Sequence, residues 1–194
     1  MDLKSLLKKI WYFIWKDDSL LSWIVNVILA FLLVKFIVYP GLGFLLSTSH
    51  PLVAVVSSSM EHDASFNEWW QSQSDWYEDE GITKEEFKEY HFKNGFNKGD
   101  IMVLYGTSPQ NIKIGDVIVF KTSQPDPIIH RVVGVTKESS SIYFQTKGDN
   151  NPDSIISLGE NRVSSSSLIG RAVIRIPFLG WVKIIFTDII QIFR

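Results

Sequence analysis

The residues of this chain that could carry out chemistry are few, because it has four histidines and no cysteine. The missing cysteines exclude disulfides, a cysteine nucleophile, thiolate-bound zinc and iron–sulfur clusters. No glycine-rich phosphate loop of the GxxxxGK[ST] or GxGxxG type occurs, so a nucleotide site has no support. No HExxH motif or close histidine pair occurs either, which favours scattered surface histidines over a metal site. We therefore expect no metal and no cofactor.

A serine nucleophile is the chemistry that the remaining residues support best. The serine cluster 57–59 ends an apolar stretch, and a strand end is a rigid place from which to present a hydroxyl. His130 lies inside a second apolar stretch, and a neutral imidazole is suited to take a proton near neutral pH. Asp149 and Asp153, in a turn-forming segment, could orient that imidazole. Each piece alone also fits a simpler interpretation, namely a serine-rich loop, a core histidine and a turn.

The elements that must position these residues are predicted to be mainly strands. Short stretches rich in β-branched residues are bounded by Gly, Pro, Ser and Asn, which favours a β-rich body. They cover residues 51–57, 100–106, 116–122, 128–136, 141–147 and 168–176. The serine cluster follows the first stretch and His130 lies within the fourth.

Residues 61–97 interrupt the strands and differ from them in composition. They contain ten acidic residues, three lysines and nine aromatic residues. Thr83 and Glu86 have the spacing of a capping box, and Gly95 is a helix stop, so we expect a small helical insertion. It is either a solvated subdomain with its own core or a surface that faces a membrane or partner. Elsewhere the lysines are scattered or lie beside an apolar segment, which does not indicate nucleic-acid binding.

An apolar stretch near the N-terminus, residues 19–39, predicts a transmembrane helix. Its 21 residues contain one charge, Lys35, and would form a helix about 31 Å long, with Pro40 as its stop. Four lysines precede it, whereas residues 41–67 contain no Lys or Arg. The positive-inside rule therefore places the N-terminus in the cytoplasm and the body on the outer face.

Two further segments have apolar character. Residues 1–18 are basic and amphipathic, which predicts a helix in the cytoplasmic interface or an extension of the span. Residues 177–194 are apolar but contain Lys183 and Asp188, so an interfacial or membrane-dipping segment is favoured over a second crossing.

Four sequence boxes follow the apolar helix in a fixed order: VVSSSMEH, GDVIVFK, IIHRVVGV and TKGDNNPD. In this order they resemble the type I signal peptidases, in particular the archaeal and endoplasmic-reticulum branch. The resemblance implies a mainly β, signal-peptidase-like domain over residues 40–176 and cleavage of exported preproteins after small, A-x-A-like residues. It implies a cell-membrane enzyme, or alternatively one of the endoplasmic reticulum with a lumenal domain. Its partners would be signal peptides, lipid and subunits of a secretion translocon or peptidase complex.

Roles for individual residues come from that resemblance. Ser59, immediately before Met60, matches the family's nucleophile, and Ser57 matches the serine whose hydroxyl helps to line the oxyanion hole. His130 stands where the bacterial branch has a lysine base, as in the archaeal and reticulum branch. Met60 is a candidate substrate-binding residue.

The sequence does not decide which carboxylate orients His130, and the chain departs from the family pattern in two places. Either Asp149 or Asp153 would orient His130. His62 stands where the family usually has proline, and the insertion 61–97 replaces what is usually a short link. Two other functions are compatible with the sequence: a membrane serine peptidase of narrow specificity, and a membrane-tethered, non-catalytic β-domain that binds export partners.

Overall fold

The computed structural model describes residues 2–139 and 141–192. The chain divides into an N-terminal unit, Met1–Leu45, and a larger unit, Leu46–Arg194. The chemistry-bearing residues predicted from the sequence all lie in the larger unit.

The N-terminal unit consists of two helices, α1 (Leu3–Trp15) and α2 (Leu20–Leu45). The side chain of Ser19 caps α2 by accepting a hydrogen bond from the Ser22 N–H, 3.2 Å away. In the part of the chain that the structure describes, α2 alone is long and apolar enough to cross a membrane. The amide of Asn26 donates to the Ile14 carbonyl at 2.9 Å, so a polar side chain ties α2 to α1.

Helix α2 does not stop at Pro40 but continues to Leu45, which differs from the expectation. A π-helical turn, Val34–Val38, ends two residues before the proline. The ring of a helical proline clashes with the carbonyl four residues earlier, here that of Phe36. Because Phe36 lies inside the π turn, the wider turn accommodates the ring and the helix is not broken.

The larger unit is built on a curled antiparallel sheet of seven strands in the order β1-β2-β7-β3-β4-β5-β6. The strands are β1 (Leu52–Ala54), β2 (Ile101–Tyr105), β3 (Val117–Phe120), β4 (Ile128–Glu138), β5 (Ser141–Lys147), β6 (Val163–Ser164) and β7 (Leu168–Ile176). The predicted β-rich domain is confirmed; five of the six predicted stretches contain a strand, and the sixth, 128–136, covers all but the last two residues of β4. Strand β6 has two residues and is too short to produce a pattern.

Both faces of the central strand β3 are buried. Successive side chains of a strand point to opposite faces. Val117 and Val119 pack in one apolar cluster, which includes Val55 and Met60, while Ile118 and Phe120 pack in a second. The first cluster therefore joins the end of the edge strand β1 to the middle of the sheet.

The insertion between β1 and β2 forms two helices, α3 (Phe66–Asp79) and α4 (Lys84–Lys88). The predicted capping box of Thr83 and Glu86 is confirmed, and Ser65 with Glu68 forms another at the start of α3. Its aromatic residues make a third cluster that also contains Val133 of β4. The insertion thus has its own core, and that core is closed by the sheet. A last helix, α5 (Trp181–Ile192), follows β7.

Candidate active site

Ser59 lies in the turn after β1 and points its hydroxyl at a histidine. Its Oγ is 2.8 Å from Nε2 of His130 and 3.1 Å from the Oγ of Ser57. Both are hydrogen-bond distances, and the first is one at which an imidazole can accept the proton of a hydroxyl. The structure therefore brings together three of the residues predicted from the sequence.

His130 is held by the sheet. It lies on β4 opposite Ile118 of β3, and only 3% of its surface is exposed. Its second ring nitrogen, Nδ1, contacts the carboxylate of Glu160. The ring thus bridges Ser59 and a buried acid.

The loop that follows β5 closes over the serine turn. The Asn150 N–H donates to the Ser59 carbonyl at 2.8 Å, and the Asn150 amide donates to the Ser58 carbonyl at 3.3 Å. A Cβ added to Gly148 would lie 2.8 Å from both His130 Nε2 and the Ser59 carbonyl oxygen. Glycine at this position is what allows the loop to approach Ser59 and His130 so closely.

Asp149 is fully buried and binds Arg131 rather than His130. Arg131 donates through Nε to Oδ1 at 2.8 Å and through Nη2 to Oδ2 at 2.6 Å. The Tyr77 hydroxyl donates to Asp149 at 3.0 Å, and Nε2 of His62 donates at 3.1 Å. His130 and Arg131 are neighbours on β4 and so point to opposite faces of the sheet. A carboxylate that pairs with one of them is turned away from the other.

This surrounding charge decides the ionisation of Asp149. Burial alone would raise its pKa, but the positive charge of Arg131 and the hydrogen bonds from His62 and Arg131 outweigh burial. The pKa of Asp149 therefore lies well below its usual value. Near neutral pH Asp149 is therefore an anion, and it balances the buried guanidinium of Arg131.

Asp153 does not contact His130 either. It is exposed, and its Oδ1 accepts hydrogen bonds from the indole N–H of Trp76 at 2.9 Å and from the Ser154 N–H at 2.6 Å. In the described residues neither predicted aspartate touches the imidazole, which differs from the expectation. The carboxylate that does is Glu160.

Glu160 comes from a short 3-10 turn, Glu160–Arg162, and is completely buried. Its Oε1 also accepts the Thr146 hydroxyl at 3.0 Å, and its Oε2 accepts the Ile155 N–H at 2.7 Å. No local sequence signal marks it, because a glutamate beside a glycine in a polar turn is typical of a solvated loop.

Met60 differs from its predicted role as well. It is fully buried in the cluster between β1 and the middle of the sheet. Its sulfur accepts the Asp149 N–H at 3.4 Å. The side chain therefore packs beneath the serine turn and does not line an open surface.

No protein-family model matches the chain. It is 30% identical over 156 residues to the signal peptidase complex catalytic subunit SEC11C of Homo sapiens and of Mus musculus. That match covers 78% of this chain and 65% of each relative. The SEC11 subunit of Verticillium alfalfae is 25% identical over 158 residues, which is 79% of this chain and 73% of the relative. The chain is a homologue of signal peptidase catalytic subunits. The resemblance to that branch is confirmed, and the chain spans about two thirds of the mammalian relatives' length.

In this signal peptidase homologue a groove opens beside the Ser59 hydroxyl. Its volume is about 250 Å³. One wall comes from the β1 segment and the other from the loop between β3 and β4; the lining residues are Ala54, Val56, Ser57, Ser59, 124–129 and His130. In the described ranges, no group of three or more His, Cys, Asp or Glu side chains is arranged to hold a metal ion.

Proposed function

We propose that the chain is a membrane-bound serine endopeptidase that removes signal peptides from exported preproteins by cleaving after small residues. The observation that carries the proposal is the 2.8 Å distance between Ser59 Oγ and His130 Nε2. The pair stands at the wall of an open groove. The homologous catalytic subunits give the class of substrate.

The proposed reaction is acyl transfer. His130 takes the hydroxyl proton as Ser59 Oγ attacks the scissile carbonyl, and negative charge develops on the carbonyl oxygen. The Ser57 hydroxyl and a backbone N–H at Ser59 stabilise this charge. His130 then gives the proton to the leaving amine, and water hydrolyses the acyl-enzyme with His130 again as base.

The substrate binds as an extended strand in this proposal. Strand β1 is at the edge of the sheet, with β2 on one side and no strand on the other among the described residues. A peptide added along that edge pairs with backbone groups and places alternate side chains in the groove. Ala54 and Val56 leave shallow space there, which suits small side chains before the scissile bond.

The membrane assignment belongs to the same proposal. Helix α2 crosses the bilayer, with the N-terminus in the cytoplasm and the sheet on the outer or lumenal side, because lysines precede the span. Helix α5 lies in the lipid interface. Its side chains Val182, Ile185, Phe186 and Ile189 are about half or more exposed, and water is an unfavourable environment for them. The membrane is that of the cell or of the endoplasmic reticulum, and other peptidase or translocon subunits are the expected protein partners.

The first test compares the full-length wild type with Ser59→Ala and Ser58→Ala on a preprotein that has an Ala-x-Ala signal. Loss of the nucleophile should reduce cleavage to the background. Ser58 is the matched control, because it is an exposed neighbour whose side chain makes no hydrogen bond to the described residues. It should cleave within twofold of wild type.

Three other outcomes would change the assignment. Equal cleavage by wild type and Ser59→Ala would place the nucleophile elsewhere. Binding of the preprotein without cleavage by any of the folded proteins would indicate a non-catalytic domain. Cleavage of only a few members of a preprotein panel would indicate a peptidase of narrow specificity.

A further inference from the structure

We propose that Glu160 is the positioning residue that holds His130 in the tautomer able to accept the serine proton. The inference rests on the proposed serine peptidase function. It assigns the role of orienting His130 to a glutamate beyond the four sequence boxes, rather than to an aspartate in the box TKGDNNPD.

The first support is the chemistry of the two ring nitrogens. A neutral imidazole carries one proton, so one nitrogen donates and the other accepts. Glu160 Oε1, which also accepts the Thr146 hydroxyl, is the acceptor in its contact with Nδ1, so the proton of the neutral ring is on Nδ1. Nε2 is then the acceptor, and it is the nitrogen that faces Ser59 at 2.8 Å.

The second support is that the Glu160 carboxylate is itself fixed. The side chain is completely buried, and each carboxylate oxygen accepts a hydrogen bond besides the contact with His130. The Thr146 hydroxyl donates to Oε1 at 3.0 Å, and the Ile155 N–H donates to Oε2 at 2.7 Å. Thr146 is fully buried on β5, the strand that pairs with β4. Strand pairing therefore sets the position of the acid relative to the base.

The third support is that the two aspartates are engaged elsewhere. Asp149 pairs through both its oxygens with Arg131, which points to the opposite face of β4. Asp153 is exposed and accepts the Trp76 indole N–H. Neither is available to accept the Nδ1 proton without breaking these contacts.

Nitrogen NMR of the full-length protein in detergent tests the tautomer directly, with His130→Asn used to assign the His130 signals. In the neutral state of the wild type we expect the proton on Nδ1. In Glu160→Gln the amide can donate as well as accept, so we expect a population with the proton on Nε2. A wild type with the proton on Nε2 would overturn the proposal without any variant having to fold.

Kinetics provide the second readout. Glu160→Gln should reduce kcat by about 10³- to 10⁴-fold and change KM less than threefold, because the wrong tautomer cannot take the serine proton. Glu160→Asp keeps the charge on a shorter side chain and should recover part of kcat. A folded Glu160→Gln protein with kcat within threefold of wild type would contradict the proposal.

Glu138→Gln is the matched control. Glu138 pairs with Arg162, two residues after Glu160, but it is exposed and lies outside the site. It should leave kcat and the His130 tautomer unchanged. If Ser59→Ala still cleaves while His130 carries its proton on Nδ1, the proposed function fails and the positioning role survives, so the two failures are distinguishable.

Discussion

At the scale of single residues, the hydroxyl of Ser57 has one close polar neighbour of functional interest, the Oγ of Ser59 at 3.1 Å. A donor at that position can reach the oxygen on which charge develops during attack. We expect Ser57→Ala to lower kcat by about 10²- to 10³-fold with little change in KM, because an oxyanion donor acts mainly in the transition state. Steady-state cleavage of the same preprotein measures both constants. An unchanged kcat would remove Ser57 from the oxyanion site.

The residue scale also shows what a sequence can and cannot predict about this site. Ser59 and His130 lie in boxes with a recognisable order, so they could be named together from the sequence. Glu160 could not, because its role depends on burial and on contacts with Thr146 of β5 and with the Ile155 N–H of its own loop. Asp149 lies in a recognisable box and is the more obvious carboxylate in the sequence. However, His130 and Arg131 point to opposite faces of β4, and Asp149 pairs with Arg131.

At the scale of elements, Arg131 and Asp149 connect the sheet to the insertion. The Arg131 guanidinium donates to the carbonyls of His91 at 3.0 Å and Phe92 at 2.9 Å. From the same insertion, His62 stacks on Trp69 with ring centroids 3.7 Å apart and donates to Asp149. The insertion therefore encloses a buried ion pair whose acid lies in the loop over the serine turn.

Removing the acid from this ion pair should destabilise the whole unit. We expect Asp149→Asn to lower the free energy of unfolding by about 3–5 kcal/mol, because the buried guanidinium of Arg131 is left without its counter-charge. Denaturant unfolding followed by tryptophan fluorescence measures the difference. Asp153→Asn is the control, since Asp153 is exposed, and its effect should be below about 1 kcal/mol.

The pH dependence of that difference follows from the lowered pKa of Asp149. A carboxyl group with a lower pKa in the folded state stabilises the fold at every pH above its unfolded pKa, which is about 4. This contribution is lost as the pH falls from there toward the folded value. The difference in the free energy of unfolding between wild type and Asp149→Asn should thus be constant from pH 7 to pH 5 and shrink below pH 4. A stability difference that already disappears near pH 6 would contradict the lowered pKa of Asp149.

The elements themselves were partly predictable. β-branched stretches and the Thr83 capping box are local signals, and the structure contains the strands and the helix they indicate. The closure of the insertion on Val133 is a long-range packing event and leaves no local pattern. The same holds for the continuation of α2 through Pro40, because the π turn that allows it has no sequence signature here.

At the scale of the whole molecule, the absence of cysteine makes the proposed membrane orientation easy to test. Single cysteines at Lys9 and Ser123, both exposed, should be labelled by a membrane-impermeant maleimide from opposite sides of sealed vesicles. A cysteine in place of Phe186, which is 65% exposed in the structure, should resist labelling until the lipid is dissolved and the protein denatured.

The cysteine-free parent controls for background in that experiment. Labelling of Lys9→Cys and Ser123→Cys from the same side would rule out the proposed orientation of α2. Ready labelling of Phe186→Cys in intact vesicles would show that α5 faces water.

The order of the strands has a consequence for when this protein can act. The nucleophile follows β1 at one edge of the sheet, while its base is 71 residues later on β4, with β2, β7 and β3 between them. Contacts so distant along the chain form late, because the entropy of closing the intervening loop must be overcome first. A newly made chain thus has no paired serine and histidine until the sheet has curled shut. In the proposed peptidase, a chain whose sheet has not yet formed therefore cannot hydrolyse a preprotein.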